Sequence, residues 1–218
     1  VSKTYTANGN VKVGLRVTDD AGSTGVAFRT VAVEGAEEPE EEVKVSNYSP
    51  TVLSTPGLLH YWRMNESSGT SFADSVGGVT ATAVGGVAMG VPGGIPNDSD
   101  KAARFDGSND GAKATLNLSG KTAITVEFWM KWNAYANDDD LAMEFTNNFN
   151  ENAGGFLIDP NAPQQSGSFG VGIGAGTARN NAFFARPSAG AWHHYAFVLD
   201  TQAPASEQIT PYVDGKAV

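Results

Sequence analysis

The side chains of this sequence that could do chemistry are carboxylates, imidazoles and flat aromatic rings. There is no cysteine, which excludes disulfides, thiolate nucleophiles and cysteine-ligated zinc. Asp106-Gly107-Ser108-Asn109-Asp110-Gly111 crowds oxygen donors into one turn, and calcium takes roughly six to eight oxygens from turns of this composition. Asp106 and Asp110 are therefore candidate metal ligands for a structural calcium, and Glu66 and Asp74 flank a second such loop. The spacing is not that of an EF-hand, and both stretches read equally well as turns closed by their own Asp and Asn side chains. Asn137-Asp138-Asp139-Asp140 is a further acidic stretch, read as a solvated loop. His193 and His194 are adjacent; on a strand they point to opposite faces, so they cannot share one ion.

Sugar recognition uses a flat ring under the apolar face of the sugar and polar groups on its hydroxyls. Trp129 is the candidate ring. It falls among Thr125, Glu127 and Lys131, while Ile124, Val126, Phe128, Met130 and Trp132 occupy the alternate positions. Glu127, Lys131 and Arg63 are the candidate polar neighbours. The other reading of Trp129 is packing against an adjoining loop or domain. Retaining glycoside hydrolysis needs two carboxylates roughly 5 Å apart. Glu127 is the only acid on its strand, and no G-x-S-x-G elbow accompanies the histidines. No catalytic residue is assigned, and the expectation is a protein that binds rather than catalyses.

These side chains must be carried by strands. Among 218 residues, 26 are Gly and 40% are hydrophobic, enough for a sizeable core with many tight turns. Period-2 alternation marks strands at Leu58 to Met64, Val79 to Ala83, Ala102 to Phe105, Ile124 to Trp132, Trp192 to Leu199 and Ile209 to Val213. No convincing amphipathic helix is present. Phe169, Val171 and Ile173 alternate with Gly170, Gly172 and Gly174, which leaves one strand face bare for close approach by a ligand or another backbone. Residues 1–33 read as two strands around Asp19-Asp20-Ala21-Gly22. Residues 34–47 form an acidic linker, with six Glu between Glu34 and Glu42. The net charge of −10 argues against a nucleic-acid partner. No apolar run is long enough to span a membrane. Val1 in place of Met suggests a processed chain or an excerpt of a longer one.

Ordered blocks of sequence then suggest a family. Tyr61-Trp62-Arg63-Met64-Asn65-Glu66-Ser67-Ser68-Gly69-Thr70, with Phe72-Ala73-Asp74-Ser75 behind it, resembles the opening of a laminin-G-like domain of the concanavalin A-like group. Ala102-Ala103-Arg104-Phe105-Asp106-Gly107, Ile124 to Met130, Trp192 to Asp200 and Tyr212-Val213-Asp214-Gly215-Lys216 resemble later blocks of the same family, in the same order. Thr4 to Asn10 and Val11 to Gly22 resemble the last third of a polycystic-kidney-disease (PKD) repeat, an Ig-like β-sandwich used as a spacer in surface proteins.

The resemblance implies an all-β fold. A two-sheet antiparallel jelly-roll sandwich would occupy 48–218, preceded by a short Ig-like β remnant. It implies a structural role for the histidine pair, with Trp192 packing in the sandwich, and a rim calcium of the kind many laminin-G-like domains bind. The hydrolases of this fold place their acids a few residues apart on one strand, as E-x-D-x-x-E, and that pattern is not found here. The family continues with a further strand that pairs with the first. Its absence would leave Leu58 to Met64 as an unpaired edge, an aggregation liability open to self-assembly. The expectation is that the sequence is an excerpt whose jelly roll is truncated at its C-terminal end; the alternative is that a partner supplies the strand. The functional expectation is an extracellular recognition or adhesion module at a cell or virion surface, binding carbohydrate or a surface protein. The alternatives are a structural component of a phage tail or surface filament, and an accessory module of a secreted glycoside hydrolase.

Overall fold

The computed structural model describes residues 9–18, 21–22, 24–34, 45–134, 141–145, 155–174 and 180–218. The chain divides into two compact units, Val1–Lys44 and Val45–Val218. Most of the acidic linker and the acidic loop at 137–140 lie outside the described residues.

The first unit holds strands β1 (Gly9–Thr18) and β2 (Thr24–Val33), paired antiparallel from Gly9↔Val33 to Thr18↔Thr24. This is the pair of strands expected from the alternation. Val26 and Phe28 on β2 are exposed, and the Lys12 ammonium lies 4.7 Å from the centre of the Phe28 ring.

The second unit is almost entirely β. In chain order it contains helix α1 (Tyr48–Leu53), β3 (Ser71–Phe72), β4 (Ala81–Val84), β5 (Ala88–Pro92), β6 (Lys101–Arg104), β7 (Gly111–Lys113), β8 (Ala123–Lys131), β9 (Met143–Phe145), β10 (Phe156–Asp159), β11 (Ser168–Ile173), β12 (Asn180–Ala185), β13 (Trp192–Asp200), β14 (Ile209–Val213) and β15 (Lys216–Ala217). Two four-stranded antiparallel sheets, β12-β11-β10-β9 and β15-β14-β13-β8, supply the core. Smaller sheets β3-β4-β7 and β5-β6 accompany them.

Alternation builds the sandwich. Phe156, Ile158, Phe169, Val171, Ile173 and Phe184 from one sheet meet Tyr195, Phe197, Leu199 and Ile209 from the other, with Ile124, Val126, Phe128 and Met130 completing the layer. Phe169 lies 5.1 Å from Tyr195 and 5.7 Å from Phe197, ring centre to ring centre, across the two sheets. Each such ring contributes about 1.5–3 kcal/mol through burial alone. Asp214 (φ 49) and Gly215 (φ 74) are both left-handed, the conformation a two-residue hairpin needs, and they return the chain from β14 to β15.

Three expectations change. Leu58 to Met64 is not a strand; it makes a single bridge, Trp62↔Asp74. The Tyr61 N–H donates to the Asp74 carboxylate rather than to a ladder, and Met64 at φ 54 breaks the extended course. A helix is present, although only six residues long and too short to show a period. The bare face of β11 is closed by the chain itself: a Cβ on Gly170 would meet the Ala162 Cβ at 2.8 Å and the Phe183 ring at 3.2 Å.

Candidate functional site

The ladder fixes which side chains face away from the core. On β8 the even-numbered residues pack inward, so Thr125, Glu127, Trp129 and Lys131 face out. On β13 Tyr195, Phe197 and Leu199 are buried, so Trp192, His194 and Ala196 face out. The register sets His194 beside Trp129, Trp192 beside Lys131, and Ala196 between Glu127 and Tyr212. One outer surface therefore collects three aromatic rings, an imidazole, a carboxylate and an ammonium.

Helix α1 adds a fourth ring. Tyr48 meets Trp129 edge-on at 6.2 Å and His194 edge-on at 6.2 Å, while Trp129 and His194 lie 5.6 Å apart. The helix is anchored by Val52, which is buried, and by Ser49, whose hydroxyl shares a 2.9 Å hydrogen bond with Tyr61. Burial, and then the neighbouring Glu127 carboxylate, push the Tyr48 phenol well above its ordinary range, so it stays a neutral donor. Glu127 Oε2 lies 3.7 Å from His194 Nε2.

Of the residues expected to recognise a sugar, Trp129, Glu127 and Lys131 share this surface. Trp129 is half-buried, with Tyr48 against it. The Lys131 ammonium lies 5.7 Å from the centre of the Trp192 ring. Trp192 stands on the outer side rather than inside the sandwich, and its ring presses on Gly94, where a Cβ would fall 2.2 Å from it. Arg63 is committed to Asp100, donating from Nε at 2.8 Å and from Nη2 at 2.6 Å. Tyr48, Tyr212 and His194 were not assigned from sequence. Register on β13 and β14 could have found His194 and Tyr212; Tyr48 reaches the surface through tertiary packing and had no local signal.

The acidic residues do structural work where they stand. The Asp74 side chain is buried and accepts four hydrogen bonds: Tyr61 N–H at 2.9 Å, Val76 N–H at 3.0 Å, Val79 N–H at 3.1 Å and His60 Nδ1 at 2.8 Å. Burial opposes its charge, but these donors outweigh it and hold the carboxyl far below the usual carboxylate range. Glu66 accepts from Ala73 N–H at 2.8 Å. Asp110 accepts from the amides of Gly86 and Asp106. Asp106 accepts from Ser108 N–H at 2.9 Å, which lowers its pKa. A cation at either loop would have to draw oxygens away from these amides. Among the described residues no three acidic or imidazole side chains converge to hold a metal.

His193 and His194 diverge as the strand geometry requires, and Asp214 joins them to the turn. It accepts from His193 Nδ1 at 2.8 Å and from His194 N–H at 3.0 Å. The His193 bond, foremost, lowers the Asp214 pKa.

Comparison with known proteins agrees with this architecture. Residues 106–218, more than half of the chain, match the family model Laminin_G_3, described as the Concanavalin A-like lectin/glucanases superfamily. The match takes in β8, β13 and β14 and does not reach the hairpin at 9–33. No curated protein and no solved structure matches the chain. On the two packed sheets and this match, the chain belongs to the concanavalin A-like lectin/glucanase superfamily, in its laminin-G form.

Proposed function

We propose that the chain is a non-catalytic extracellular recognition module and that its outer β8–β13 surface takes up carbohydrate. The observation that carries this reading is the cluster of Tyr48, Trp129 and His194 beside Glu127. Flat rings accept the apolar face of a sugar, and the neutral phenol, the imidazole and the carboxylate hold its hydroxyls. Lys131 and Tyr212 extend the polar margin. Adhesion through a surface protein would use the same face.

The carboxylate arrangement supports binding over hydrolysis. Glu127 is the only acid that β8 carries, and the ring at its side is the His194 imidazole, not a second carboxylate a glycosidase spacing away. The hairpin at 9–33 would act as the end of a PKD-like spacer.

The test is a glycan array probed with the whole chain. The expected result is binding that falls by about five- to thirtyfold in Trp129→Ala, the loss of one stacked ring being worth on the order of 1–2 kcal/mol. A Tyr48→Phe variant, which keeps the ring and loses the donor, should weaken binding by less. Binding unchanged in Trp129→Ala would rule out this surface. An array that stays dark would leave the protein-binding form of the proposal, to be read by capture on cell-surface protein.

A further inference from the structure

On β13 the outward residues are Trp192, His194, Ala196, Val198 and Asp200, and Ala196 is the smallest of them. Its neighbours across the ladder are Glu127 on β8 and Tyr212 on β14. Adjacent strands lie about 4.8 Å apart, so the backbones that carry the carboxylate and the phenol stand roughly 10 Å apart with the alanine methyl group between them. Along β13, His194 and Val198 flank Ala196 at about 7 Å on either side, the spacing of residues that share a face. Ala196 therefore floors a hollow with a carboxylate, a phenol, an imidazole and an isopropyl group around it. Trp129, beside His194 and on the same face as Glu127, stands at one corner.

The charge set around this hollow is lopsided. The four strands of the sheet carry two lysines and no arginine. The Lys131 ammonium lies 5.7 Å from the centre of the Trp192 ring, two pairs along the ladder from Ala196. Lys216 pairs with Val213, which packs against the core, so it belongs to the inward set. Helix α1 carries no charged residue. The outward acids of the sheet are Glu127 and Asp200. A protonated His194 would meet Glu127 at 3.7 Å, so that pair carries no net positive charge in either state of the ring.

Resting on the sugar reading above, we propose that this hollow seats an uncharged sugar ring and turns away sugars that bear a carboxylate or a sulfate. Ala196 sets the room for the ring and Glu127 sets the charge it tolerates. A pyranose over Ala196 turns hydroxyls toward Glu127 and Tyr212 and an apolar edge toward Trp129 and Val198. An anionic sugar in the same seat brings its charge against Glu127 with no cation of the sheet to answer it, and like charges set together exclude a partner.

The test is a glycan array probed with the whole chain, in which each uncharged glycan is printed beside its uronic-acid and sulfated counterparts. Wild type should bind the uncharged member at least about tenfold more tightly. Raising the salt from about 0.05 to 0.5 M should narrow that gap by screening, and Glu127→Gln should narrow it at least about threefold. Ala196→Leu suits a strand and should keep the fold by circular dichroism, while binding falls at least about tenfold because the hollow is filled. Ala196→Ser keeps the hollow and should stay within about twofold of wild type. Equal or tighter binding of the anionic member overturns the proposal. So does an Ala196→Leu variant that binds as wild type while Trp129→Ala does not; in both cases sugar uptake on this face survives. Should Ala196→Leu lose the fold, the charge comparison alone decides. Binding indifferent to Trp129→Ala, or an array dark throughout, overturns the sugar reading itself and this proposal with it.

Discussion

Asp74 shows how one side chain can set a whole segment. Its two oxygens take up the amides of Tyr61, Val76 and Val79 and the His60 ring, pinning both sides of the 60–79 stretch. Replacing it with alanine leaves part-buried donors unpaired, and a loss of about 1–3 kcal/mol is expected from urea unfolding at neutral pH. Its folded pKa is depressed, so its contribution is complete above the unfolded carboxylate value near ~4 and fades as pH falls below it. The gap between wild type and Asp74→Ala should therefore narrow in unfolding measured near pH 3. Gly94 is the second residue with a sharp constraint. Any side chain there collides with the Trp192 ring, so Gly94→Ala should lower the melting temperature, and Trp192→Ala in the same chain should relieve much of that loss, since the two sites couple directly.

The elements were legible where their period was long enough to count. β8, with nine residues alternating between apolar and polar positions, lies within a residue of its expected bounds, and β14 matches its expected range. Ile209 to Val213 followed by Asp-Gly announces a hairpin by turn chemistry alone. α1 was invisible because six residues give less than two turns, and its formation depends on Val52 and Ser49 finding a buried place. Leu58 to Met64 read as a strand because it alternates, yet a strand also needs a partner, and Asp74 takes its Tyr61 amide instead. The candidate site was half legible for the same reason. Trp129, Glu127 and Lys131 share a face by period 2, whereas Arg63, distant in sequence, was added by residue type and is held by Asp100.

At the scale of the molecule, stability rests on the ring-filled layer between the two four-stranded sheets. Phe197 is fully buried and touches Phe128, Phe169, Phe184 and Tyr195. Phe197→Ala should cost about 3–5 kcal/mol in equilibrium unfolding, through lost burial and the cavity left behind. Substitutions at the exposed outer positions of β8, Thr125, Glu127 and Lys131, should leave that figure nearly untouched, because exposed positions rarely move stability by more than about 0.5 kcal/mol. The two sheets differ in what lies over their outer sides. Above β11 the chain has laid Ala162 and Phe183 over Gly170, and every residue of that strand is buried. That covered side is the one to attach by: grafted to a bead or a sensor through it, the domain should keep the proposed β8–β13 surface turned toward solution.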